Sequence, residues 1–250
     1  MPEGLLAALA LPGLWGLLAA VSVAGVVFGF AGFGAALVFL PVAVALVPPE
    51  LAVAAFSLSA LASLVTVVPR AWAVIDRRAV ALLLVAAMAG FPLGIWALRT
   101  WDANTIRWLV SGLVLVTLAA LAAGWRMKAA PTTGARLGVG AATGVIGGAT
   151  GLTGPVVILF NLGAGAPAAV TRANTLVFLT LSSLLLVPQL WLQGVLRPEA
   201  LWLWLVLVVP YALGNRLGQA LFDPGREGLY RRVAYAIIAV SALAGLPVWS

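Results

Sequence analysis

Apolar runs of about helix-spanning length recur from residue 14 to the end of the chain, separated by short breaks that carry most of its polar residues. Uninterrupted runs predict long helices over about 51–68, 78–98 and 104–124, and again over about 170–189, 198–219 and 229–247. Ahead of each trio lies a run broken by glycine. The first spans 14–46 around "GFAGFG", and the second spans 135–163 around "GGATGLTGP". The arms Leu14–Phe28 and Ala35–Leu46 measure about 22 Å and 18 Å as helices, and Pro155–Leu162 is shorter still. None comfortably crosses a hydrocarbon core of about 30 Å. Each broken run therefore predicts a re-entrant pair of half-helices with a glycine tip.

The pattern repeats. A shift of 119 residues lays Gly25, Val26, Gly29 and Gly32 on Gly144, Val145, Gly148 and Gly151, and Pro48, Ser63, Pro69 and Trp72 on Pro167, Ser182, Pro188 and Trp191. Glycine and valine matches are cheap in such a chain; two prolines and a tryptophan in one register are not. The expected fold class is an all-α polytopic membrane protein of two inverted repeats. Each repeat is a broken or re-entrant helix pair followed by three transmembrane helices. The expected divisions are a first repeat at 1–125, a cytoplasmic linker at 126–133 and a second repeat at 134–250.

Charge supports the hairpins. If both arms of each broken run return to one side, the three helices that follow invert the second repeat. Eleven of the fourteen cations then share a side, leaving Arg99, Arg107 and Arg197 on the other. Single spans would divide them seven against seven. Cytoplasmic short loops are enriched in Lys and Arg, so the hairpin arrangement is the one expected, with both termini extracytoplasmic. Composition agrees: 64% of residues are hydrophobic and 8% charged. The net charge of +7 is explained by topology, and no nucleic-acid partner is called for. Glu3 and the lack of a cation before the first apolar run argue for a retained first segment rather than a cleaved signal.

Candidate chemistry sits at the tips. In "TGPVV", Pro155 suits the first position of a new half-helix, with Thr153 or Gly154 as its cap. A second half-helix starts near Gly34. Two helix N-termini meeting in the membrane interior would present free N–H groups and partial positive charge to a small anion. The alternative is that the glycines only allow close helix packing.

"GVVFGFAGFGAALVFLPVA" at 25–43 and "GVIGGATGLTGPVVILFNL" at 144–162 resemble the paired glycine-rich motifs of the TauE/SafE sulfite exporter family. Ala31 and Ala35 stand where that family commonly has glycine. The resemblance extends over nearly the whole chain, and implies an inner-membrane permease of bacteria or archaea. Its expected cargo is sulfite, sulfonates or related organic anions, moved by alternating access at the hairpin interface. A membrane scaffold or sensor subunit is the alternative.

The expected substrate-binding residues are Gly32, Phe33, Gly34, Gly151, Thr153, Gly154, Asn161, Arg172 and Asn174. Arg172, in "TRANT", has two readings: snorkelling to the interface, or a forked contact with an oxyanion. Arg216 with Asn215 reads as structural pairing or anchoring. Asn161 and Gln189 either line a cavity or bridge helices. The hydroxyls Ser57, Ser59, Ser63, Thr180, Ser182 and Ser183 are expected to bond their own helix carbonyls, and the tryptophans to anchor span ends. His and Cys are absent from the sequence, and the seven acids fall near predicted ends or loops. No metal site, nucleophile–base pair or buried carboxylate relay can be assembled from these residues. Neither enzymatic activity nor a cofactor is expected.

Overall fold

The computed structural model describes residues 3–125, 127, 130–221 and 227–249. Of the expected loop charges, Arg126, Lys128, Asp223 and Arg226 lie outside the described residues. The described elements are helical: α1 (Glu3–Leu9), α2 (Leu14–Ala31), α3 (Ala35–Leu46), α4 (Pro49–Ala60), α5 (Ser63–Thr66), α6 (Val68–Ala71), α7 (Arg77–Thr100), α8 (Ala103–Ala122), α9 (Thr133–Thr150), α10 (Pro155–Gly163), α11 (Ala168–Leu192), α12 (Pro198–Ala220) and α13 (Glu227–Ala244). Six stretches are long and apolar enough to cross a membrane, counting Pro49–Thr66 as one. Their starts follow local rules. Asp76, Asp102 and Thr132 accept the backbone N–H of Ala79, Thr105 and Ala135 as side-chain caps. Pro49, Pro155 and Pro198 occupy first helical positions, where a missing N–H costs nothing.

Both broken runs fold back on themselves. A side chain added at Gly13 or Gly16, where α2 begins, would touch Leu46 at the end of α3. In the second pair, Met127, six residues before α9, donates its N–H to Leu159 of α10 at 3.1 Å. The reversals use equivalent glycines: Gly32 and Gly151 take nearly the same left-handed conformation, with φ of 79° and 75°. An L side chain there would strain the backbone.

The first arm is longer than the sequence pattern suggests. α2 stays helical through Gly29 to Ala31, 18 residues, about 27 Å. The reason is packing. Gly25 and Gly29 lie against the backbone of α12 at Gly214 and Gly218, and Gly144 and Gly148 lie against α7 at Gly90 and Gly94. Each broken helix thus packs on the second long helix of the other half. Glycine on both sides removes the side chains that would hold the backbones apart. Most glycines ahead of the tips are interface residues, and only the tip glycines break a helix. The two contact pairs stand 124 residues apart, so the 119-residue register seen up to Trp191 slips by five beyond it.

One expected helix is discontinuous. The 51–68 run divides into α4, α5 and α6, whereas its counterpart α11 is continuous over Pro188. Between Leu58 and Val65 the backbone bonds tighten to the i→i+3 pattern: Leu61 to Leu58, Ala62 to Ser59, Leu64 to Leu61. Such tightening within a helix marks a bend or hinge. Here it presents Ser63 to α12.

Candidate anion site

The two tips meet around a single small cavity. Gly34, Ala35, Ala36 and Leu37 border it from the first hairpin, and Gly151, Thr153 and Gly154 from the second. Phe28, Phe56, Ile158 and Leu179 supply apolar wall, and Ser63, Thr180, Ser183 and Tyr211 supply hydroxyls. The open space measures about 30 Å³ to the centre of a water-sized sphere, enough for roughly two waters. That is the scale of a small inorganic anion.

The first intrahelical bond of α3 runs from Val38 N–H to Gly34 O at 3.0 Å. The N–H groups of Ala35, Ala36 and Leu37 therefore have no partner within the helix, and these residues line the cavity. Unbonded N–H groups and the positive end of the helix dipole favour an anion there. The second tip is chemically different. Leu152 N–H bonds Thr150 Oγ1 at 3.2 Å, and Thr153 N–H bonds Gly151 O at 3.2 Å. Gly154 is the cap residue of α10 and makes no side-chain bond. Thr153 does not cap; its Oγ1 lies 3.1 Å from Ser182 Oγ, whose single proton is also drawn to Leu179 O at 2.9 Å, and the residue lines the cavity.

Of the expected site residues, Gly34, Gly151, Thr153 and Gly154 line this space. Gly32 makes the turn beside it, and Phe33 lies between Gly32 and Gly34 in that tip. The other three lie elsewhere. Arg172 reaches the first tip from α11, but its Nη2 donates to the carbonyl oxygens of Gly29 and Phe30 at 2.9 and 3.2 Å. It closes the C-terminal end of α2, where orphan carbonyls and a negative dipole end await a cation. Asn161 donates to Thr175 Oγ1 at 3.0 Å and ties α10 to α11. Asn174 accepts from Asp76 N–H at 2.8 Å and fixes the start of α7. Gln189 reaches Met88 O on α7 at 3.1 Å, so both intramembrane amides bridge helices.

Ser57, Ser59, Thr180, Ser182 and Ser183 bond carbonyls of their own helices, as expected. Ser63 does not. It sits 3.3 Å from Tyr211 Oη and accepts from Asn215 Nδ2 at 3.1 Å. The sequence pattern does not single out Tyr211, and marks Asn215, beside Arg216, only for structural pairing or anchoring. The available signal was their spacing: four residues apart, they share a face of α12 with Gly214 and Gly218.

The apolar helices and the paired broken helices around a small cavity define a membrane-embedded, multi-pass helical protein. The family model described as sulfite exporter TauE/SafE matches residues 17–245, and the chain belongs to that family. Comparison with curated proteins and with solved structures gave no match.

Proposed function

We propose that the protein is a secondary transporter, in the exporting direction, for small sulfur-containing or organic anions such as sulfite and sulfonates, and that the cavity between the tips is its binding site. One observation carries this reading: the start of α3, whose first N–H groups have no partner within the helix, and Thr153 of the second tip line one space of oxyanion size. Family membership supports the sulfur-oxyanion class. The cross-packing of α2 on α12 and α9 on α7 supports a duplicated architecture with halves at 1–125 and 134–250, joined through 126–133.

In this reading the halves are inverted and the basic loops face the cytoplasm of a bacterial or archaeal cell. The hairpins rock against the long helices, exposing the cavity to each side in turn. The glycine contacts suit such sliding, because no interlocked side chains resist it. Exit of an anion needs no separate relay, since an inside-negative potential favours it by about 2.3 kcal/mol per charge per 100 mV. Arg172 serves the site by holding the first tip. Asn161 and Asn174 serve it by holding α10 and α7 against α11.

The test is flux. Purified protein in liposomes loaded with sulfite is expected to release it faster than protein-free liposomes, with methanesulfonate competing and chloride not. Equal release from both preparations overturns the transport reading.

A further inference from the structure

The wall of the cavity contains no Asp, Glu, Lys or Arg among the described residues. Burying an anion there is opposed by desolvation that grows with the square of its charge, so a dianion meets roughly four times the penalty of a monoanion. Neutral hydrogen-bond donors can offset the smaller penalty far more readily than the larger one. The donors nearest the bend in α4–α6 are Ser63 and Tyr211. The pair shares one bond at 3.3 Å, so one of its two hydroxyl protons is left to point elsewhere. Asn215, fully buried, donates to Ser63 and holds the pair in place against α12. Asn215 Oδ1 has no hydrogen-bond partner among the described residues. It is a buried acceptor beside the pair, behind the residues that line the cavity.

We propose that the Ser63–Tyr211 pair, braced by Asn215, is the charge-state filter of this site: it gives its one uncommitted proton to a singly charged oxyanion, hydrogensulfite or a sulfonate, and leaves the dianion unbound. This deepens the anion-transport reading and rests on it. The titratable group on the wall is Tyr211 itself. The charged residues on elements packed against the pair are Glu3, Glu50, Arg70, Arg172, Glu199 and Arg216, and none lines the cavity. The pH response therefore belongs to the cargo, because sulfite and hydrogensulfite interconvert near neutral pH.

The experiment measures binding to purified protein, by thermal shift and calorimetry, of three probes at pH 6 and pH 8. Methanesulfonate and sulfate have nearly the same size and differ in charge at both pH values; sulfite changes charge between them. Methanesulfonate is expected to bind equally at both pH values, and sulfate at least tenfold more weakly. Sulfite is expected to weaken by about tenfold on going to pH 8. Tyr211→Phe and Ser63→Ala are each expected to weaken methanesulfonate by about fivefold, one through loss of the donor and the other through loss of the hydroxyl that orients it.

Sulfate binding as tightly as methanesulfonate, or sulfite tightening as pH rises, overturns the filter while leaving anion binding standing. Wild-type charge preference kept intact in both folded variants removes Ser63 and Tyr211 from it. Absence of binding by every probe overturns the anion-site reading itself, and the filter with it. The wild-type comparison needs no variant to fold.

Discussion

Arg172, one turn into α11, donates to the carbonyl oxygen of Gly29 at 2.9 Å, across 143 residues of sequence. This bond joins the helix that opens the second trio to the end of the first broken helix. Its position beside Gly32 makes the arginine a frame for the tip. A side chain at Gly32 would run into the arginine stem, with the ideal Cβ 2.8 Å from Arg172 Cγ.

The first prediction follows from that frame. Arg172→Lys keeps a cation at the α2 terminus but not the reach and fixed plane that set Nη2 between the two carbonyls. Ligand-free stability is expected to fall by about 1 kcal/mol, and by about 2 kcal/mol in Arg172→Gln, where a charge-assisted bond is lost. Anion affinity should follow stability in rank. Melting curves unchanged from wild type, together with lost affinity, would show instead that the guanidinium touches cargo.

The glycine interfaces give a paired test. At Gly148 an added methyl would lie 2.6 Å from Phe91 O on α7, whereas at Gly112 of α8 nothing lies within 4 Å. Both are helix-interior positions where alanine is intrinsically better than glycine by about 1 kcal/mol. Gly112→Ala is expected to be neutral or mildly stabilising. Gly148→Ala should destabilise by about 2 kcal/mol, because the neighbouring backbone must move. Equal melting of the two variants would contradict the close packing of α9 on α7.

How far the sequence discloses this arrangement depends on the kind of signal. Helix extents and their proline and aspartate starts are local, so Pro155, Pro198, Asp76 and Asp102 announce them. Tip glycines and interface glycines look alike in one dimension. Gly148 and Gly151 are three residues apart, and only the packing of α7 on α9 makes the first helical and the second left-handed. The polar residues near the tips were harder to place. Asn174 and Arg172 share a short motif with Thr171, yet they serve α7 and α2 on separate faces of α11. Ser63 resembles every other intramembrane serine until the helix bends and brings it to Tyr211. Long-range partners of that kind have no local trace.

Topology can be read with single cysteines, since the sequence contains none. Ala103, exposed at the start of α8, lies between Arg99 and Arg107. Ala130 is exposed in the basic linker. An impermeant thiol reagent applied to intact cells is expected to label Ala103→Cys and spare Ala130→Cys. The opposite pattern would reverse the proposed orientation, and equal labelling would contradict a linker and an α7–α8 loop on opposite sides.

The last prediction separates the chemistry of the second tip from its shape. Thr153→Val keeps the branched side chain, removes the hydroxyl of a cavity-lining residue, and leaves Ser182 with its bond to Leu179 O at 2.9 Å. Folding should survive, and anion affinity should fall by about 1 kcal/mol, a typical net hydrogen bond. Ser182→Ala removes the partner but not the cavity hydroxyl. It is expected to affect affinity less, through looser orientation of Thr153. If the serine acts only through the threonine, the double variant should bind no more weakly than Thr153→Val alone, the non-additivity expected of groups in one network. Gly151→Val is the shape control. Its φ of 75° and the 2.8 Å approach of Leu40 to an added Cβ predict loss of folded protein, not a graded loss of affinity. Calorimetry with methanesulfonate on the three hydroxyl-site variants, beside their melting curves, checks the set. Wild-type affinity in Thr153→Val would remove the second tip from the site and leave the N–H groups of Ala35, Ala36 and Leu37, with the Ser63–Tyr211 pair, as its anion-binding elements.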